Sequence, residues 1–267
     1  MALDPDVLAY YERGAEDARL RDGVGRLELL RTQDVLRRAL PPAPARVLDV
    51  GGASGVHAEW LAADGHQVEL LDPVPLHVDQ AGRCTGVTAR LGDARELPYQ
   101  DASFDVVLLL GPLYHLHERA DRLRALREAR RVARPGGLVA AATISRYAPL
   151  HDALLAGRYV DPEVRERHTA ILATGRQHAR PGEEFTTAYF HEPAEIPGEF
   201  ADAGLTGPVT YGLEGAVWLL GGAEEQLADA GRLAAVLHSL RAVETVPGLA
   251  GVSAHLLTTA RTPEAGA

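Results

Sequence analysis

One stretch, RVLDVGGASGVHAEWLAADGHQVELLD at residues 46–72, constrains the fold of this chain more than any other. An apolar run ends near Asp49, a glycine-rich turn follows, and a helical pattern leads to a second apolar run that ends at Asp72. Two short apolar runs joined by a helical pattern are typical of a βαβ unit, whose strands are parallel. Ligands bind beyond the carboxyl ends of parallel strands, so the glycine-rich turn is a predicted ligand site.

Strand-like and helix-like patterns alternate through the rest of the chain. The predicted strands lie at about residues 46–51, 67–72, 87–91, 104–110, 138–144, 207–212 and 252–260. The predicted helices lie at about residues 55–64, 76–83, 119–133, 193–203 and 216–244. This alternation predicts an α/β fold with a doubly wound parallel sheet in a domain at 41–267. Outside the alternation are a helical segment at 1–40, which ends in PPAP, and an insert at 146–192.

The charge and the residue composition exclude several kinds of function. The net charge is −10 and all 27 basic residues are arginine, so no Schiff-base, phosphate-loop or kinase lysine exists. An acidic chain binds nucleic acid poorly, because affinity for phosphates depends on basic groups. The single cysteine, Cys84, fits a reducing compartment, and neither a signal peptide nor a membrane-length apolar run is visible. We therefore expect a cytoplasmic monomer or homodimer without membrane or nucleic-acid partners.

The spacing after the first strand discriminates between nucleotide ligands. In a dinucleotide site the sixth position counted from Gly51 is Gly or Ala, and here it is Val56. Asp72 follows Gly51 by 21 residues, a distance that suits an acid bound to ribose hydroxyls. The turn therefore predicts a nucleoside that lacks a pyrophosphate. A nicotinamide-dependent oxidoreductase remains an alternative, although a Tyr-x-x-x-Lys pair cannot exist without lysine.

Four motifs in order resemble the class I S-adenosylmethionine-dependent methyltransferases, in particular the small-molecule branch of the type 11 methyltransferases. They are VLDVGGASG, VELLD, LGDARELPYQDASFDVVLLLGPLYHL and LREARRVARPGGLVAAATIS, between Arg46 and about Ser145. The resemblance implies a Rossmann-like seven-stranded sheet of order 3-2-1-4-5-7-6 with an antiparallel last strand, and residues 1–40 as a helical lid. It also implies S-adenosyl-L-methionine as the methyl donor and S-adenosyl-L-homocysteine as the product. Ala53 stands where the family usually has glycine, and its methyl group fits if the torsions are helical or extended.

The resemblance also implies roles for single residues of a cofactor site. The implied cofactor-binding residues are Tyr11, Arg19, Asp49, Gly51, Gly55, Asp72, Asp93, Ala94, Leu110 and Gly111. Asp72 would accept both ribose hydroxyls, Asp93 the adenine amino group, and Arg19 would pair with the methionine carboxylate. Asp49 would hold the methionine amino group or order the turn. The alternatives are a helix cap for Asp72, a turn acid for Asp93 and a solvated side chain for Arg19.

The stretch GPLYHLHERAD after the fourth predicted strand carries the candidates for catalysis. His115 is the predicted base or orienter, because imidazole titrates near neutral pH, and Tyr114 precedes it. The alternative is a histidine bonded to a neighbouring loop. A metal site formed by His115 and His117 is disfavoured, because no third ligand lies at metal-ligand spacing.

The lid and the insert predict the kind of methyl acceptor. The insert carries His and Tyr side chains that suit contact with a small molecule, namely Tyr147, His151, Tyr159, His168, His178, Tyr189 and His191. GPLY replaces the Asn/Asp-Pro-Pro-Tyr motif of amide and base-amine methylases. We predict a small, partly apolar acceptor of the secondary-metabolite type, methylated at oxygen, nitrogen or electron-rich carbon. A cofactor-binding regulatory protein without catalysis remains an alternative.

Overall fold

The computed structural model describes residues 4–14, 16–21, 23, 25–180, 185–219, 223–264 and 266. The main sheet has the strands β1 (Arg46–Val50), β2 (Gln67–Asp72), β3 (Val87–Leu91), β4 (Phe104–Leu109), β5 (Ala133–Ile144), β6 (Thr206–Gly212) and β7 (His255–Arg261). Their order is 3-2-1-4-5-7-6, and β7 is antiparallel to both of its neighbours. The pairs among β1 to β5 are parallel. The predicted fold class and strand order are confirmed.

The helices surround this sheet. They are α1 (Pro5–Tyr11), α2 (Glu16–Arg19), α3 (Gly25–Ala39), α4 (Val56–Ala63), α5 (Pro75–Ala81), α6 (Arg119–Val132), α7 (Ala148–Leu155), α8 (Pro162–Thr174), α9 (Ile196–Asp202), α10 (Ala223–Ala228), α11 (Ala230–Val243) and α12 (Pro247–Ala250). Within the described ranges, none of them is both long and apolar enough to cross a lipid bilayer.

The single long helix predicted at 216–244 is wrong. Asp229 has an extended backbone and separates α10 from α11, and its side chain accepts a hydrogen bond from the backbone N–H of Arg232. Aspartate at this position satisfies a free N–H of the first helical turn, so it begins a new helix. Residues 217–219 form a 3₁₀ turn, and residues 220–222 lie outside the described residues.

Alternate side chains of the strands form one apolar core on each face of the sheet. On one face, Leu48 and Val107 pack with apolar side chains of α6 and α9. On the other face, Val47 and Val106 pack with side chains of α3 and α4. A parallel sheet covered on both faces leaves its carboxyl edge as the place for a ligand.

The insert folds back toward this edge. It contains α7, α8 and a two-stranded ribbon made by residues 176–177 and 188–189. His117 Nε2 hydrogen-bonds the backbone carbonyl of Ala188 at 2.8 Å, and His115 Nδ1 that of Thr187 at 3.2 Å. The ribbon is therefore tied to the short 3₁₀ helix at 112–115 that follows β4.

Candidate active site

A cavity lies at the carboxyl ends of β1, β2 and β4, and α1 covers it through Val7 and Tyr11. Ten of the twelve predicted site residues line this cavity: Tyr11, Arg19, Gly51, Asp72, Asp93, Ala94, Leu110, Gly111, Tyr114 and His115. The fold thus gathers residues from five separate segments of the chain. Asp49 and Gly55 do not line the cavity.

The glycine-rich turn brings bare backbone to the cavity wall. Gly51 has a φ of +67°, and a Cβ there would lie 2.7 Å from Pro112 Cγ. A Cβ on Gly52 would lie 2.6 Å from a carboxylate oxygen of Asp49. Side chains are therefore excluded at both positions, and the main chain can approach a ligand closely.

Two further residues of the turn, Gly55 and Ala53, have left-handed backbone torsions. Gly55 precedes α4 with a φ of +93°, and a Cβ there would meet Ala81 and Cys84 at 3.2 Å. The space beside its Cα is therefore filled by α5 and Cys84, and its part in cofactor binding stays a prediction. Ala53 has a φ of +49°, neither helical nor extended. The left-handed torsion costs an alanine about 1–2 kcal/mol, which gives a physical reason for the usual glycine.

Asp49 lies beneath the turn, fully buried. Within the described part of the chain, neither carboxylate oxygen has a hydrogen-bond partner. Burial, together with the nearby charge of Asp72, raises the pKa of Asp49 to about 7. No hydrogen bond ties this carboxylate to the turn within the described residues, so both roles predicted for Asp49 stay predictions.

Asp72 closes the turn and also faces the cavity. Its carboxylate accepts hydrogen bonds from the backbone N–H groups of Ala53 and Val74, both at 2.9 Å. His77 Nδ1 lies 3.1 Å from the same carboxylate, and within the described residues its buried Nε2 has no partner. The N-cap residue of α5 is Val74, and no side chain of the described residues caps this helix, so the bond from Val74 to Asp72 closes the turn before the helix and is not the helix cap considered as an alternative. The Asp72 side chain lines the cavity. His77 was not predicted from the sequence.

The far end of the cavity carries an ion pair. Arg95 donates to both carboxylate oxygens of Asp93, at 2.6 Å from Nη2 to Oδ2 and 2.9 Å from Nε to Oδ1. Burial raises the pKa of Asp93, but the hydrogen bonds from Arg95 outweigh burial and lower it. Asp93 is therefore ionised and fixed in place, and Arg95 is a further lining residue that the sequence did not suggest.

His115 connects the lid, the turn after β4 and the insert. The hydroxyl of Tyr11 and Nε2 of His115 are 2.7 Å apart. Since the Thr187 carbonyl can only accept, the imidazole proton sits on Nδ1, and Nε2 accepts from Tyr11. Burial lowers the pKa of His115 to about 4, so the ring is neutral. The bonds to neighbouring segments match the alternative interpretation of His115, and its part in catalysis stays a prediction.

A second chamber adjoins the first cavity, and Tyr11, Arg19 and Tyr114 line both. Its apolar wall consists of Tyr10, Ile144, Phe185, Phe190 and Trp218. Of the predicted insert side chains, His168 lines the chamber, with both ring nitrogens bonded to backbone carbonyls. The other six do not line it: Tyr147, His151, Tyr159, His178, Tyr189 and His191. The chamber suits a small molecule with an apolar body.

The polar wall of the second chamber is an ionic cluster that joins α3 to β7. Arg19 donates to Glu28 at 2.6 Å, and His255 Nδ1 lies 2.6 Å from Glu214 and 3.5 Å from Glu28. Burial opposes ionisation of Glu28, but Arg19 and His255 lower its pKa to about 2. The two carboxylates and His255 are close enough to hold a metal ion, but Arg19 and Nδ1 of His255 already bond the carboxylate oxygens.

The cluster was missed from the sequence, although its position follows from the topology. Because β7 is antiparallel, its first residue, His255, lies at the edge where the parallel strands end. Glu214 follows β6 at the same edge.

Comparisons with known proteins agree with this geometry. Residues 48–141 match the family described as Methyltransferase domain. Ubiquinone biosynthesis O-methyltransferase of Methylocella silvestris is 30% identical over 172 residues, which cover 54% of this chain and 65% of that protein. The 27-O-demethylrifamycin SV methyltransferase of Amycolatopsis mediterranei is 36% identical over 137 residues, 47% of this chain and 46% of that protein.

Among solved structures, a methyltransferase of Thermotoga maritima described as S-adenosylmethionine-dependent and as a possible histamine N-methyltransferase superposes with a TM-score of 0.59. The identity is 17%, over 95% of this chain and 98% of that one. This likeness shows the fold. The chain spans less than two thirds of the length of each of these two curated relatives. The family resemblance drawn from the sequence is confirmed for the segment 48–141.

Proposed function

We propose, from the methyltransferase domain that residues 48–141 carry, that this chain is an S-adenosylmethionine-dependent methyltransferase of a small, partly apolar acceptor. One observation carries the proposal: a lidded cavity with a glycine turn and a strand-end acid opens directly into an aromatic chamber. The first can hold a nucleoside cofactor and the second a methyl acceptor. Residues 1–40 serve as the lid of the domain at 41–267.

The residues of the first cavity fit the cofactor. Asp72 offers a carboxylate to ribose, and the unpartnered Nε2 of His77 lies buried beside it, where a hydroxyl can satisfy it. Gly51 and Gly111 leave room for the sulfur-bearing part of the molecule at the junction with the second chamber. Arg19 lines both spaces and can move from Glu28 to a ligand carboxylate. When bound, the cofactor supplies an activated methyl group, and the protein holds and shields the two reactants.

The acceptor class rests on the second chamber. Its aromatic wall favours an apolar body, and its ionic wall offers partners for a polar group. The names of the relatives from Methylocella silvestris and Amycolatopsis mediterranei refer to small molecules, quinone and rifamycin, which supports the same class for this chain.

Calorimetry tests the proposal directly. The chain is expected to bind S-adenosylmethionine and S-adenosylhomocysteine, and not NAD. In Asp72→Asn the ribose loses a charged hydrogen bond of about 1.5–3 kcal/mol, so the Kd should rise about tenfold or more. Asp79→Asn, on the exposed side of α5, is the matched control and should bind normally. Tight NAD binding without a response to either sulfur nucleoside would overturn the proposed function.

Hydrogen exchange tests the lid. Tyr11→Phe removes the hydroxyl bonded to His115, a net loss of about 0.5–1.5 kcal/mol. Amides of residues 5–11 should therefore exchange roughly twofold to tenfold faster, and S-adenosylhomocysteine should slow them in the unaltered chain. Tyr211→Phe, in β6, is the control. Equal exchange in the two tyrosine variants would show that the hydroxyl does not hold the lid.

A further inference from the structure

The ionic wall of the second chamber contains an imidazole–carboxylate pair. Glu214 Oε1 lies 2.6 Å from His255 Nδ1, and Oε2 accepts from the backbone N–H of His255 at 3.0 Å and from Ser253 Oγ at 2.9 Å. A carboxylate only accepts, so the proton of the neutral ring sits on Nδ1 and the lone pair on Nε2. The Glu214 side chain is 3% exposed and that of His255 20%, so the carboxylate is fixed while the ring is open to the chamber.

Three charged groups set the basicity of this imidazole. Burial lowers the pKa of His255, and the positive charge of Arg19 lowers it further. The carboxylates of Glu28 and Glu214 outweigh both effects, so the pKa is raised above 6.5. The other charged side chains that line the chamber are Asp152, Arg158 and Arg167. The two carboxylates thus make this imidazole a stronger base than a free histidine side chain.

We propose that His255, oriented by Glu214, is the general base that removes the proton of an acceptor hydroxyl bound in the second chamber. The proposal rests on the proposed methyltransferase function and names its acceptor class. The acceptor O–H bond breaks, the proton bonds to Nε2, and the oxygen keeps the electron pair. That pair bonds the methyl group while the sulfur of the donor keeps the electrons of the broken C–S bond. The imidazolium, held by the two carboxylates, then releases its proton to water.

The chamber favours a phenol over an aliphatic alcohol. Phe185, Phe190 and Trp218 form an apolar wall that suits an aromatic ring. A phenolic hydroxyl has a pKa of about 10, close enough to that of imidazole for transfer to proceed as the oxygen reacts. An acceptor methylated at carbon would need no base at this position.

His115 is less suited to this proton transfer. Its Nε2 already accepts from Tyr11, and its pKa is about 4, which makes it a weak base. Within the described residues, no hydrogen bond occupies Nε2 of His255. The geometry therefore gives the two histidines different roles: His115 bonds Tyr11 of the lid, and His255 accepts the proton of the acceptor hydroxyl.

Nitrogen-15 NMR of the cofactor-free protein tests the pair without turnover. The neutral ring of His255 should carry its proton on Nδ1, and its pKa should lie above 6.5. In Glu214→Gln the pKa should fall, because a carboxylate that favours the imidazolium is gone. A proton on Nε2, or an unchanged pKa in Glu214→Gln, would overturn the pairing on which the proposal depends.

Binding of 4-nitrophenol tests proton transfer, because its phenolate has a distinct absorption band. With S-adenosylhomocysteine bound, the apparent pKa of the bound phenol should fall by about 1–3 relative to water, through the imidazolium beside it. His255→Gln should abolish this shift, while His66→Gln, whose ring meets the Ala45 backbone at the opposite end of the sheet, should retain it. No phenolate band in the unaltered protein, or the same band in His255→Gln, would overturn the proposal.

The rate of phenol methylation is the third test of the proposal. With a phenol that the enzyme methylates, His255→Gln should lower kcat by roughly 10²-fold or more and leave the Kd of S-adenosylhomocysteine unchanged. In Glu214→Gln the midpoint of the rise of kcat with pH should move to lower pH. A normal kcat and normal cofactor binding in His255→Gln would refute only the role of His255 as the general base. Failure of the unaltered protein to bind either sulfur nucleoside would refute the methyltransferase function itself.

Discussion

Arg122→Met is expected to lower the free energy of unfolding by about 3–5 kcal/mol. The Arg122 side chain is 2% exposed, and it donates from Nε and Nη2 to Glu199 at 2.7–3.1 Å. Nη1 donates to the backbone carbonyls of Leu116 and His117, both at 2.9 Å. Methionine fills a similar volume but leaves a buried carboxylate and two carbonyls without their donors, and such unpaired groups are costly. Urea denaturation followed by circular dichroism measures the change.

Arg119→Met is the matched control for Arg122→Met. Arg119 lies on the same helix, is about half exposed and pairs with Asp202, and its Nε lies 3.9 Å from Glu199, without a hydrogen bond. Water can replace these contacts. Its removal should change the stability much less. Similar losses in the two variants would show that the buried network around Arg122 adds nothing specific to stability.

Arg122 also connects stability to the site. The two carbonyls that it holds directly follow His115, the residue that bonds the lid. We therefore expect Arg122→Met to speed hydrogen exchange of residues 5–11 even where the fold survives. Glu199, its partner, comes from α9, which begins 64 residues after the end of α6 at residue 132. Strand β5 and the insert lie between the two helices in the sequence.

The sheet could be predicted from the sequence because its signals are local. Each apolar run and each glycine turn lies within a few residues, and the order of the strands was implied by the family that the motifs at 46–145 resemble. The residues at the carboxyl ends of β1, β2 and β4 were found for the same reason, since the topology brings strand ends to one edge.

The ionic wall could not be found in this way. Glu28 meets His255 across 227 residues, and nothing near either position in the sequence marks the pairing. Likewise, the apolar spacing of residues 216–244 continues through Asp229, so periodicity alone does not show where α10 ends and α11 begins. The locations of Asp49 and Gly55 outside the cavity depend on how the turn packs against Leu70 and Ala81, which local patterns do not report.

Asp49 gives the chain an unusual dependence of stability on pH. A pKa of about 7 in the folded state, against 3.8 as its ordinary value, means that the folded protein retains a proton which the unfolded chain releases. Between about pH 4 and 7 the folded state therefore binds more protons, and this group makes the protein less stable as the pH rises. The two pKa values differ by about 3, which corresponds to roughly 4 kcal/mol at about 1.4 kcal/mol for each pH unit.

Asp49→Asn should remove this dependence, because an amide has no proton to lose in this range. Relative to the unaltered chain, the variant should gain roughly 4 kcal/mol between pH 4 and pH 8, with most of the gain below pH 7. Urea denaturation at a series of pH values measures it, and Asp64→Asn, an exposed partner of Arg37, should follow the unaltered chain. A difference between Asp49→Asn and the unaltered chain that stays constant with pH would mean that Asp49 is ionised in the fold. The ionised carboxylate beneath the glycine turn would then need a cation or a hydrogen-bond donor beside it. The methionine amino group of the cofactor, which is predicted to bond Asp49, would be such a donor.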